Sequence, residues 1–411
     1  GATGARTAAK VHRMTVPDRL LQRCAGLLLG LALLFPATAA QAQKVLDPYQ
    51  IKRTVLSSDG RYMAFDFHKL SADERTRTRY SVAVYDMETE SIELHIAPPP
   101  REFHSASFSP DDRFLAVIQR CWAKECSPQE LGLNVGVIDR TNRRFQLVTS
   151  GERIVHNRDF PSYTKGARFL RGFPVFDVKS PRIYFGFQYH SAGIIPGRRL
   201  YTPQILNFYG SSATNIGYVD IEAGERVEKT LDLQENINGR MKLAYLAATE
   251  RGLYVHAAVP QVEPFKGQGI WGGVINTESG EFSPLFPDPP YFNGPSLSQS
   301  NYRTDSLRAS HDGRTAVFSH GIYTEADRPE DRIAVGRGGM VVVRDGNVAE
   351  QILPPRGRGP REVAISGDGR KAIMTLFNDS RIFWAVDLET RAIIEKPLRV
   401  PLEAAIARSR Q

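Results

Sequence analysis

The sequence predicts an all-β chain folded as a β-propeller of six four-stranded blades. Three observations carry that expectation. A polar turn recurs between two apolar runs, as Ser58-Asp-Gly-Arg61, Pro110-Asp-Asp-Arg113, His311-Asp-Gly-Arg314 and Gly367-Asp-Gly-Arg370. An apolar run that ends on an acid or an amide recurs six times, at Asp86, Asp139, Asp220, Asn276, Asp345 and Asp387. The last unit, 361–400, breaks into four short apolar runs (362–365, 371–377, 382–386 and 392–394) with turn residues between them. Asp-Gly between apolar runs signals a hairpin, and in its tightest form both central residues take φ > 0. A four-stranded unit repeated every ~40–50 residues is the mark of a propeller blade. One blade alone leaves apolar faces that only neighbouring blades can cover.

The units fall at about 50–97, 102–149, 152–232, 235–286, 303–353 and 361–400. Uneven spacing locates the insertions. The third unit is the longest and holds 190–210, rich in aromatic residues, Gly and Arg; only 151–215 could hide a seventh blade. The fifth inserts 323–337, which is polar and charged. The Pro- and aromatic-rich 284–302 joins the fourth unit to the fifth, either as a functional segment or as a stiff crossover. Trp122, Trp271 and Trp384 read as packing between blades in preference to a recognition stripe, with Trp122 the exception because it sits between Cys121 and Cys126.

Residues 1–42 read as a signal peptide with an upstream extension, Met14 being the start. Arg19 and Arg23 make a basic region, 25–35 (AGLLLGLALLF) an apolar core, and small residues follow at 37–43. That core has about 11 residues, against the ~20 that span a bilayer; a membrane anchor is the alternative. The expected product is a single propeller domain over 43–411, periplasmic or secreted from a bacterium. It would keep no transmembrane anchor after cleavage.

The formal charge of +8 overstates the basic character of that domain. Arg6, Lys10, Arg13, Arg19 and Arg23, against Asp18, place +4 of it in the leader and leave +4 on the domain. So weak a field does not suit nucleic acid. Cys121 and Cys126 remain after cleavage. In an oxidising compartment they are expected to form a disulfide; two thiols alone do not complete a tetrahedral metal site.

The stretches Phe108-Ser-Pro-Asp-Asp-Arg-Phe-Leu-Ala116 and Ile365-Ser-Gly-Asp-Gly-Arg-Lys-Ala372 resemble the WD-like (PD40-type) repeats of TolB-like six-bladed propellers. The resemblance is clear in units 1, 2, 5 and 6 and faint in units 3 and 4, which lose the Asp-Gly turn. It implies an interaction platform and assigns no chemistry. The same blades precede the catalytic domain of prolyl-oligopeptidase-type peptidases, but no Gly-x-Ser-x-Gly is present.

Candidate binding residues come from placing polar side chains on the repeat. His68, His190 and His320 end second strands, and His104 and His156 stand near the starts of first strands, so all five are expected on one rim. Neutral imidazoles converging there could hold a metal ion or move protons; polar strand ends also tolerate His. Arg198 and Arg199, with Arg158 beside His156, could clamp a carboxylate or phosphate, or be solvated surface. No cofactor is predicted, although a metal ion at the central mouth is an open alternative. The expected function is a non-enzymatic module that binds another periplasmic or envelope protein. The alternative is a metal-dependent lyase or hydrolase acting on a sugar or lactone at the central mouth. The sequence leaves the oligomeric state open.

Overall fold

A computed structural model describes residues 48–69, 79–121, 123–130, 132–149, 156–157, 160–163, 167–190, 215–222, 228–233, 242–258, 270–284, 302–322, 339–355, 360–376 and 379–410. It contains six four-stranded antiparallel sheets, each paired in chain order from first strand to fourth. Blade 1 runs from Tyr49 to His95, blade 2 from Glu102 to Leu147, and blade 3 from Ala167 to Thr230. Blade 4 runs from Lys242 to Pro284, blade 5 from Tyr302 to Ile352, and blade 6 from Pro360 to Pro397. Among the described residues of 151–215 there is no seventh blade. That stretch contributes a two-stranded pair (His156–Asn157 with Phe160–Tyr163) and the first two strands of blade 3.

The first strands are innermost and touch one another in cyclic order. Tyr49–Leu56 meets Glu102–Phe108, which meets Ala167–Phe176; Lys242–Thr249, Tyr302–Ala309 and Pro360–Ile365 follow, and the last returns to Tyr49–Leu56. The ring is therefore closed around an axis. The apolar runs are continuous, not alternating, because both faces of each blade are covered. In the second strand of blade 1, Met63, Phe65 and Phe67 join Ile373 and Phe383 of blade 6. Ala64, between them, joins Phe103, Leu115 and Val117 of blade 2. Trp384 is buried with Met340 and Val342 of blade 5, the inter-blade position expected of it.

The Ser-x-Asp-Gly-Arg turn has a specific bonding pattern. Ser57 Oγ donates to Asp59 Oδ1 at 2.9 Å, and that oxygen also accepts Arg61 N at 2.8 Å. Tyr62 N closes the unit by donating to Ser57 Oγ at 2.8 Å. The turns at Ser109, Ser310 and Ser366 repeat it. One expectation needs correction. Only the residue before the Arg takes positive φ here, at Gly60 (69°), Asp112 (60°), Gly313 (67°) and Gly369 (74°). Two successive positive-φ residues occur instead at Asp345 (46°) and Gly346 (80°), between the third and fourth strands of blade 5. At the ends of the other third strands, the acid or amide accepts backbone N–H groups two or three residues on, as Asp86 does from Glu88 and Thr89.

The two ends of the ring differ. First strands join second strands through 57–61, 109–113, 177–181, 250–251, 310–314 and 366–370. These short turns interlock between blades: Glu250 N donates to His311 O (2.7 Å), His311 N to Gly367 O (2.8 Å), and Asp368 N to Ser58 O (2.8 Å). Ser58 N in turn donates to Asp112 Oδ1 at 2.8 Å. The opposite end receives the connections from second to third strands, including 70–80, 191–214 and 323–338, and the inter-blade connection 285–301.

Blade 6 draws all four strands from one stretch of chain, so the ring closes without exchanging a strand. Closure rests on side chains together with backbone bonds between turns, Gly367 N to Ser57 O and Asp368 N to Ser58 O. A helix, α1 (Arg399–Arg408), follows blade 6 and was not foreseen from the sequence. Leu398, Leu402 and Ala405 bury themselves with Tyr49, Tyr85 and Phe383 at the seam between blades 6 and 1. Lys396 Nζ crosses the same seam to Glu90 Oε1 at 2.8 Å.

Candidate functional site

Every innermost strand breaks register once: between Lys52 and Val55, His104 and Ser107, Arg171 and Val175, Leu243 and Tyr245, Asp305 and Arg308, and Pro360 and Glu362. Such bulges re-aim side chains. In blades 1 and 2 the bulge puts a non-glycine residue in the left-handed region, Arg53 at φ 55° and Ser105 at φ 57°. Each such residue stores about 1–3 kcal/mol, so the surroundings must hold it in place.

Asp66, with no exposed surface, does the holding. Its Oδ2 accepts Arg53 Nη1 at 3.0 Å, and its Oδ1 accepts Ser105 N at 2.7 Å. One carboxyl thus pins the bulges of two blades. Arg53 Nη1 also lies 3.1 Å from His104 Nδ1. A guanidinium can only donate, so Nδ1 accepts and the neutral ring carries its proton on Nε2. Burial, then the charges of Arg53 and Arg120, hold His104 well below the ordinary histidine range. Burial pushes Asp66 up to about 7, against the opposing pull of Arg53. Arg53 is itself raised; its burial works against charge, and Asp66 outweighs it.

A second set of contacts ties blade 1 to blades 6 and 5. Glu362 of blade 6 accepts Thr54 N at 2.8 Å. Arg308 of blade 5 donates through Nη2 to Thr54 O at 3.4 Å. The Thr54 peptide of blade 1 is therefore gripped from two other blades. The Arg308 guanidinium also stands 4.6 Å from the centre of the Tyr245 ring in blade 4. Arg53, Asp66, His104, Arg308 and Glu362 form a polar belt at the axis, tied together by hydrogen bonds and fields within a low-dielectric ring.

The expected rim histidines are brought together only in part. His68 is buried near the end of its strand, with its ring 4.5 Å from that of Tyr80, and the His104 ring is 6.1 Å from that of Tyr80. His190 and His320 fall at the same end of their second strands, paired with Ala167 and Thr304; their side chains lie outside the described residues. His156 is not in blade 3 proper, whose first strand begins at Ala167, but in the short pair before it. Arg158, Arg198 and Arg199 lie outside the described residues. Among the described residues, no three His, Cys, Asp or Glu side chains are grouped to hold a metal ion. Cys121 and Cys126 form the expected disulfide, with Cα atoms 6.1 Å apart. Arg101 binds Glu130 beyond it through two bonds, 2.7 and 2.9 Å.

Sequence reasoning missed Arg53, Asp66, Arg308 and Glu362. The signal was there: each is a charge inside an apolar strand (IKRTVL, MAFDFH, DSLRAS, REVAI), and buried charges persist only when partnered.

No family model and no curated protein matches the chain. Solved structures do. An oligogalacturonate lyase from Vibrio parahaemolyticus is 10% identical, with a TM-score of 0.47, over 84% of this chain and 77% of its own. TolB from Acinetobacter baumannii is 12% identical, with a TM-score of 0.48, over 88% and 82%. Likeness of this degree concerns the propeller fold alone. The six-bladed architecture expected from the TolB-like repeats is present.

Proposed function

We propose that the chain is an exported propeller acting as a docking platform for another envelope protein, which it engages with the end of the ring that carries the long connections. The asymmetry of the two ends carries this reading. One end consists of short turns bonded to each other between blades, whereas 70–80, 191–214, 285–301 and 323–338 all leave the opposite end. Rigid scaffolds present binding residues on such connections. The axial ionisable groups, which an enzyme would leave open to substrate, are engaged within the ring: Arg53 bonds Asp66 and His104, and Glu362 and Arg308 bond the backbone of Thr54. The test is site-specific photo-crosslinking in a cell envelope. Positions 199 and 329 are expected to capture one discrete partner and position 314, at the short-turn end, none. The captured chain should begin near Gln43. Equal labelling from both ends would refute the docking end, and a retained leader would refute export.

A second reading, a lyase or hydrolase at the central mouth, has one observation in its favour. His68, Tyr80, His104 and Arg53 form a continuous group there. It predicts one transition-metal ion per purified chain by mass spectrometry, lost in His104→Ala. Metal content unaffected by that substitution removes the reading.

A further inference from the structure

We propose that His311 is a pH-operated latch on the axial cavity at the short-turn end: the neutral ring lies over Gly367 and closes the wall, and protonation swings it out and opens the cavity. The cavity measures about 70 Å³, and the innermost strands of all six blades reach it. His311 and Gly367 both line it. They hold the same place in their turns, after Ser310 and Ser366, where the first two blades have Ser58 and Pro110. A Cβ on Gly367 would stand only 2.5–2.7 Å from three atoms of the His311 ring. The φ of Gly367 is not in the left-handed region, so the backbone does not demand glycine there. The close approach of the ring does. Gly367 is buried beneath it, while His311 itself is half-buried.

Among the described residues the ring makes no hydrogen bond, so packing holds it in place. The charges that act on it are carboxylates: Asp368 of blade 6, Asp312 of its own turn and Glu250 of blade 4 all favour protonation. Burial outweighs them and holds the ring below the ordinary histidine range. Of the cations on the same turns and strands, Arg251 is held by Asp345 at 2.9 Å, Arg308 bonds Leu307 O and Thr54 O, and Lys371 lies against Gly60. Arg314 and Arg370 end the two turns and are exposed. A protonated ring in the closed position would carry two N–H donors without acceptors and a charge short of water. Swung outward it regains water, and the three carboxylates, all exposed, are there to meet it. The stability contributed by the closed ring is therefore present above about 6.5 and is lost as pH falls through the lower folded value. His311 also joins three blades, since Glu250 N donates to its carbonyl and its own N donates to Gly367 O. Those two bonds loosen with the latch. This cavity is at the end opposite the proposed docking face, and neither inference depends on the other.

The test is NMR of the whole mature chain labelled at histidine and glycine, with amide exchange followed by mass spectrometry, from pH 5 to 8. At pH 8 the His311 ring is expected to show a through-space contact to the Gly367 α-protons. It should lose that contact as it titrates, with a midpoint below about 6.5. Exchange at Glu250 and His311, corrected for the intrinsic pH dependence of amide exchange, should rise by up to about tenfold per pH unit over the same interval. His311→Phe keeps a ring and removes the proton, so its corrected exchange should be flat. Gly367→Ala displaces the ring and should show the fast exchange at every pH; it decides the matter if His311→Phe does not fold. A contact that survives titration of the ring, a midpoint at or above about 6.5, the same acid rise in His311→Phe, or slow exchange in Gly367→Ala at pH 8 would each overturn the proposal.

Discussion

Raising the pH from 5 to 8 is expected to remove about 2–3 kcal/mol of folding stability from the wild-type chain relative to Asp66→Asn. Burial holds the Asp66 carboxyl at about 7 in the folded ring. The unfolded chain returns it to the ordinary aspartate value near 3.9. Between those values the folded state binds the extra proton, so the contribution is complete at low pH and is lost as pH rises through 7. His104 works in the opposite sense. Burial depresses it below the ordinary value, so its contribution is present above about 6.5 and falls away as the solution is acidified. Carboxylates with depressed values, such as Asp379 beside Arg381, add to the loss in acid. Comparing Asp66→Asn with wild type at each pH cancels the groups that Asp66 does not touch. The measurement is urea unfolding at half-unit intervals from pH 5 to 8. A difference that stays flat would mean that Arg53 keeps Asp66 ionised throughout, the 3.0 Å ion pair outweighing burial.

Much of the fold was legible because its determinants are local. Ser57, Asp59 and Arg61 make their turn bonds within five residues, and Asp86 caps its own hairpin. A repeated local pattern therefore reports blade number directly, and the expected bounds lie close to the observed ones in blades 1, 2, 5 and 6, whereas blades 3 and 4, which lack the Asp-Gly turn, begin only at Ala167 and Lys242. The turn type was misjudged where a serine decides it. Ser57 Oγ bonds both Asp59 and Tyr62 N, which selects a turn with one positive-φ residue in place of two. Helix α1 was missed because 399–408 (RVPLEAAIAR) has little amphipathic pattern and a proline near its start. Its position comes from the seam it covers, which is a tertiary effect.

The site was far less legible. Arg53 meets His104 from another blade, and Thr54 meets Glu362 across 308 residues of chain. No spacing rule reaches that far. His68, His190 and His320 do fall near the ends of second strands, whereas His156 lies in a short pair before blade 3, and the side chains that organise the axis are the charges at the bulges. A bulge is itself an outcome of pairing and carries no fixed sequence mark. Charges interrupting apolar strands were the one usable signal, and at Asp66 the interruption turned out to join two blades.

A chain ended at Pro397 is expected to lose about 3–6 kcal/mol, the worth of the apolar surface that Leu398 and Leu402 bury. Both are essentially inaccessible, and both pack with Tyr49, Phe65, Tyr85 and Phe383. The seam between blades 6 and 1 is the join that connects the two ends of the propeller domain. Where a propeller exchanges a strand across that join, backbone hydrogen bonds close the ring. Here closure uses side chains, the Lys396–Glu90 ion pair, the Asp368–Ser58 backbone bond and the bond from Thr54 N to Glu362. The ion pair is partly exposed and worth little, so apolar burial must carry most of the join. Closing so long a loop is opposed by chain entropy, and a weakened seam should therefore open before any other pair of blades. Guanidinium unfolding of the truncated chain should show a lower midpoint, with Trp384, between blades 5 and 6, reporting a later transition than a probe placed at Tyr85. Single-substitution Leu402→Ala should reproduce about half of the loss. A truncated chain that unfolds at the wild-type midpoint would show that the ring closes without α1.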